Sequence, residues 1–104
     1  MKQERNLGTI TISGHEYQYR SVPDLKSSEG NGLDGWYRVN KGEILIEQGL
    51  TPSRSKMVLL HEIVHGILEH AGMGTMPTEQ QERVSDAIAY GLMSVRINGK
   101  KLIR

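Results

Sequence analysis

A chain of 104 residues, read as one domain over residues 1–104, carries 13 Lys and Arg against 12 Asp and Glu; its formal charge of +1 is too small to draw it to nucleic acid or an anionic membrane. Cysteine is absent, which excludes disulfides, thiolate nucleophiles and cysteine zinc sites together, and with no Phe the core is expected to be aliphatic. No apolar run reaches the length of a membrane span and the opening "MKQERN" lacks the stretch of a signal peptide, so the expected compartment is the cytoplasm.

Along the chain, "LGTITI" and "EYQYRSV" alternate β-formers with polar residues, and the "SGH" between them supplies a turn, which predicts a hairpin. From Pro23 to Gly35 the segment "PDLKSSEGNGLDG" reads as a surface loop with no face to bury. Two more strands, "GWYRV" and "EILIE", flank "NKG", which has the residues of a tight hairpin turn; Ile44 and Ile46 are expected on one face, Glu43, Leu45 and Glu47 on the other.

Then the period changes. Thr51 before Pro52 marks a helix start, with Leu50 placed for a hydrophobic staple. Leu60, Val64, Ile67, Leu68 and Ala71 recur at steps of three and four, and the helix is expected to end near Gly72 or Gly74. A second helix is predicted from Thr78, with Gln81 completing a capping box, through Val84, Ala87, Ile88, Gly91, Leu92 and Val95. The ending "INGKKLIR" reads as a helix stop and a basic tail.

Within the first helix stands "LLHEIVHGILEH". His61 and His65 lie one turn apart and about 40° apart around the axis, so both imidazoles can reach one ion from the same side. Glu62 lies about 100° further round from His61, where it can take a proton from water without being a ligand. Chance would place His-Glu-x-x-His in about one chain in a hundred of this composition, and imidazoles at the margin of an apolar face need partners in any case.

A third ligand must come from His70, Glu69, Glu79, Glu82 or Asp86. His70 is turned about 140° from His65, and Glu69 lies a turn too far along. On the second helix Glu82, Asp86 and Ala89 form a strip about 160° from the Val84, Ile88 and Val95 stripe, which predicts a helix covered on two sides. From the residues alone, Glu82 reads equally as a ligand or as an exposed first-turn carboxylate favoured by the helix dipole.

"LLHEIVHGILEH" followed by "ERVSDAIAYGLM" resembles the ImmA/IrrE family of small gluzincin metallopeptidases found in phages, mobile elements and bacteria. The family's second motif, E-x-x-A-N-x-F-A-x-x-L-L, corresponds here to Glu82, Ser85, Asp86, Ile88, Ala89, Leu92 and Met93, with Ser for Ala, Asp for Asn and Ile for Phe. The resemblance covers Gly35 to Met93 and implies Zn2+ held by His61, His65 and Glu82, with Glu62 as general base and then acid. It also implies an α+β minimal-zincin fold: a few-stranded N-terminal β-sheet packed on the active-site helix and a following third-ligand helix. Its protein partner would be a substrate such as a phage or host transcriptional regulator.

"EILIE" reads as the strand that pairs with an extended substrate, or as a plain core strand. Tyr90, two turns after Glu82, is the candidate for stabilising the oxyanion, ahead of Tyr37 and His70; packing is the other reading of a helix tyrosine. The competing function is a metal-stabilised module that grips a regulator without cutting it, a role with no use for the general base Glu62. The tail charges Lys100, Lys101 and Arg104 are too few to predict a nucleic-acid partner.

Overall fold

The alternating N-terminal segments pair as a hairpin, β1 (Arg5–Ile12) with β2 (His15–Val22), closed by Ser13 and Gly14, both at positive φ. The computed structural model describes residues 3–103, so Met1, Lys2 and the tail residue Arg104 lie outside the described residues. β3 (Gly35–Arg38) and β4 (Glu43–Glu47) follow, and the sheet order is β1-β2-β4-β3. β4 runs parallel to β2 and antiparallel to β3.

This order corrects the role given to "EILIE". β4 is hydrogen-bonded on both sides and has no free edge for a substrate; the edge beside it belongs to β3, as the opposite edge belongs to β1. Position in the sheet also explains why Leu45, on the face opposite Ile44 and Ile46, is buried as they are. The loop after β2 buries Leu25, against expectation, because the Glu47 carboxylate accepts the backbone N–H groups of Asp24 and Leu25 and ties the loop to the sheet. Between β3 and β4 the "NKG" segment is a 3-10 turn over Val39–Lys41 closed by Gly42, one turn longer than a tight hairpin.

Thr51 caps α1 (Pro52–Leu68) as expected, its hydroxyl accepting the Arg54 N–H at 3.2 Å. α1 lays Val58 on Ile12, Tyr17, Ile44 and Ile46, with Leu50, Leu59 and Ile63 packed around them. The core is therefore not purely aliphatic: Tyr17 is buried, its polar end bonded to other side chains. Ile67 is exposed and does not belong to the buried face. A π-helical turn, Glu69–Met73, carries the helix to Gly72, whose positive φ ends it.

α2 (Thr78–Ser94) packs across α1 with its Glu82, Asp86 and Ala89 strip inward as expected, but the apolar stripe of the wheel reading fails. Ile88 and Val95 are exposed, while the fully buried residues are Ser85 and Ala89. Small side chains let the two helix backbones approach, and that approach, rather than the size of the apolar residues, selects the buried face. The capping box is not formed either: Thr78 is already inside the helix, Pro77 precedes it, and Gln81 is drawn to α1. After α2 the tail folds into a two-stranded hairpin, β5 (Arg96–Ile97) with β6 (Lys100–Lys101). Among the described residues no helix is long and apolar enough to cross a membrane.

Ser85 is wholly buried and its Oγ has no hydrogen-bond partner among the described residues. An unsatisfied buried hydroxyl costs about 1–3 kcal/mol. Ser85→Ala is expected to raise stability by about 1 kcal/mol, read as a higher midpoint in urea denaturation at unchanged slope.

Candidate metal centre

The regular turns of α1 put the Nε2 atoms of His61 and His65 3.0 Å apart. Glu82, on the turn of α2 that crosses them, places one carboxylate oxygen 3.0 Å from His61 Nε2 and the other 2.9 Å from His65 Nε2. Within this group the ligand atoms all lie within 4.8 Å of one another. Glu82 is thus the member of the five candidates that joins the histidines; Glu79, Glu69, His70 and Asp86 do not belong to the group.

The outer nitrogens decide what the inner ones can hold. His61 Nδ1 lies 2.7 Å from Asp86 Oδ1, and His65 Nδ1 lies 2.8 Å from Gln81 Oε1. Both partners accept, so each Nδ1 carries its ring's proton and each Nε2 presents a lone pair inward. Two lone pairs and a carboxylate facing one another at about hydrogen-bond distance repel unless a cation sits among them. An added proton would satisfy one contact; a divalent ion satisfies all three, and a nitrogen and oxygen donor set suits zinc.

Asp86 therefore stands outside the group and against the outer nitrogen of His61, where it would orient that ring toward an ion. Asp86→Ala is expected to weaken metal affinity by about 10- to 100-fold while leaving the ligand set intact, measured by competition against a chromophoric chelator.

Glu62 is buried on the face of α1 that meets β3. Burial, above all, pushes its carboxyl up to about 7; the neighbouring Glu82 and Asp86 also raise it, while His65 and the nearby Tyr37 backbone pull the other way. Gly35 allows this approach: a Cβ there would stand 2.5 Å from Val58 Cγ1 and 3.0 Å from Glu62 Oε2. A cavity of about 250 Å³ and one of about 540 Å³ flank the centre and share Gly35, His61, Glu62 and Glu82.

Of the oxyanion candidates, Tyr37 alone lines one of these cavities. Tyr90 is exposed, lines neither cavity and neighbours Arg54. The Tyr37 and Tyr17 hydroxyls share a 2.8 Å hydrogen bond, and burial raises the Tyr37 pKa, keeping the phenol neutral. His70 is half-buried, hydrogen-bonds to Tyr17 through Nε2 and stacks on His15. Gln81 and Gly35 were missed as site residues; the signal for Gln81 was its place immediately before a candidate ligand, and Gly35 gave none, since close approach is a tertiary fact.

Residues 14–94 match the profile of a peptidase family described as the IrrE N-terminal-like domain. The chain belongs to this family. The IrrE N-terminal-like match begins in the turn between β1 and β2 and ends with α2, so it contains the whole metal group and Glu62. No curated protein and no solved structure matches the chain.

Proposed function

We propose that this IrrE-like domain is a zinc-dependent endopeptidase acting in the cytoplasm on a protein, with a phage or host transcriptional regulator as the target class. The observation that carries the reading is Glu62: a buried carboxylate poised near neutrality beside a three-ligand group, a placement that holding a metal does not require. His61, His65 and Glu82 would hold the zinc, leaving a position open, and the ion would supply Lewis acidity that polarises a carbonyl and acidifies water. Glu62 then accepts the proton of the attacking water and returns it to the nitrogen of the leaving amine. Burial favours the return of the proton, since desolvation pushes the Glu62 carboxyl up.

The edge strand supplies the substrate platform. Glu47 N–H bonds to Asp34 O at 2.8 Å, and Trp36 and Arg38 stand opposite Leu45 and Glu43. Antiparallel ladders alternate, so the backbone groups of Gly35 and Tyr37 point to the open side, toward Glu62. An extended peptide can add there as a further strand.

The test is to capture a partner on zinc-loaded Glu62→Gln protein and offer it to the zinc-loaded wild type. Cleavage of the captured protein, stopped by a chelator, is the expected result. A partner bound equally tightly by both and left intact would replace the peptidase with a metal-stabilised binding module.

A further inference from the structure

Three cavities follow one another along β3, and their chemistry changes sign from one end to the other. The cavity of about 250 Å³ is lined by Asp34, Arg54, Met57, Val58 and Asp86 beyond the metal group. Arg54 is held by Asp34 at 2.9 Å, which leaves the second carboxylate, Asp86, without an opposing cation beyond its contact to His61 Nδ1. Setting the negative charges of Glu62 and Glu82 against a divalent ion, the remaining lining is acidic. The cavity of about 540 Å³ adds Leu33, Trp36 and Tyr37, an apolar and aromatic wall. A third, of about 300 Å³, shares Trp36 and Tyr37 and continues through Arg38 to Lys41. Glu43 is divided between Arg38 and Arg20, and Lys41 has no carboxylate partner among the described residues, so this end is basic.

Gly35 lies at the centre because the first two cavities share it with His61, Glu62 and Glu82. A strand adding to β3 in the more stable antiparallel sense runs opposite to Gly35–Arg38. Its residues before the scissile bond then lie along Trp36 to Lys41, and those after it lie toward Asp34. The two central cavities also differ in their outer walls, one reaching the loop residues Ser27 and Leu33, the other Arg54 and Met57 of α1. Successive side chains of an extended peptide point to opposite sides, so neighbouring residues enter different cavities.

We propose that the cleft reads its substrate by charge order: an acidic residue upstream, an apolar or aromatic residue immediately before the scissile bond, and a basic residue immediately after it. The inference rests on the peptidase reading above and names the sequence class that this site accepts. Lys41 and Arg38 attract the acidic residue, Trp36 and Leu33 cover the apolar one, and Asp86, beside the Asp34 that holds Arg54, receives the basic one, its stem lying on Met57 and Val58. The reversed order meets like charge at both ends, which gives discrimination by repulsion as well as attraction.

The test uses two peptides of one composition, one running acidic, apolar, basic from its N-terminus and the other basic, apolar, acidic. Binding to zinc-loaded Glu62→Gln is read by fluorescence anisotropy, and cleavage by the wild type is read separately. The first peptide is expected to bind at least about tenfold more tightly at low salt, with the gap narrowing as salt screens the rim charges. A double variant, Asp34→Lys with Lys41→Glu, is expected to invert the preference. Equal affinity for the two orders, or no binding of either, overturns the charge reading even where proteins are cleaved. A clear binding preference with no cleavage of any peptide keeps it and removes the peptidase reading instead.

Discussion

With Glu62 replaced by Gln, the metal-loaded protein is expected to keep its ion and lose cleavage by about a thousandfold or more, the scale of losing a positioned acid-base group. The same substitution has an opposite effect on the fold. In the chelated wild type the Glu62 carboxyl is raised from 4.5 to about 7, chiefly by burial. An acid whose folded pKa lies above its unfolded one binds its proton more tightly when folded, so ionisation opposes folding: stability falls as pH rises from about 4.5 to about 7 and stays lower above that. Gln carries no charge to desolvate. Chelated Glu62→Gln is therefore expected to match the wild type near pH 4 and to exceed it at pH 8 by an amount on the order of 3 kcal/mol. Thermal scans at the two pH values measure this, and an equal gap at both would show that the carboxylate is not desolvated in the fold.

Gly35→Ala is expected to damage stability and activity together. Its Cβ would sit 2.5 Å from Val58 Cγ1, 3.0 Å from Glu62 Oε2 and 3.1 Å from Glu62 Cγ, all on one face of α1. Val58 is buried in the core and has little freedom to turn, so strand and helix must separate. Overpacking of this kind costs about 1–3 kcal/mol, and a shift of about an ångström in Glu62 costs about a hundredfold in rate. Gly66→Ala is the control. There a Cβ meets the end of the Ile12 side chain at 2.8 Å and the Tyr37 ring at 3.3 Å. Ile12 Cδ1 can rotate, and Ala gains about 1 kcal/mol of helix propensity over Gly, so little net change is expected. Denaturation of both variants, with zinc content recorded, separates close approach at the site from a general intolerance of added methyl groups.

The legible parts of the molecule were those written in local sequence. The period-two alternation gave β1 and β2, Thr51 and Pro52 gave the start of α1, and the four-residue step from His61 to His65 gave the pair of facing imidazoles. What the sequence did not carry was decided between elements. "EILIE" has the alternation of a half-buried strand, yet β4 lies between β2 and β3, and no local pattern states which strand ends at an edge. The helical wheel of α2 gave Ile88 and Val95 the inner face because they are large; contact with α1 selected Ser85 and Ala89 because they are small. Gln81 fitted a capping pattern, but its amide is used by His65, a residue 16 positions earlier. Glu82 was open between ligand and exposed carboxylate until the crossing of α2 over α1 set its oxygens against both imidazoles.

Metal content of protein purified without added metal bears most directly on the whole account. The wild type is expected to carry close to one zinc per chain, and His61→Ala, His65→Ala and Glu82→Ala are each expected to lose most of it, with Glu79→Ala unchanged. Full occupancy in Glu82→Ala, or a metal-free wild type that gains no thermal stability on adding zinc, would contradict a centre built from these three side chains.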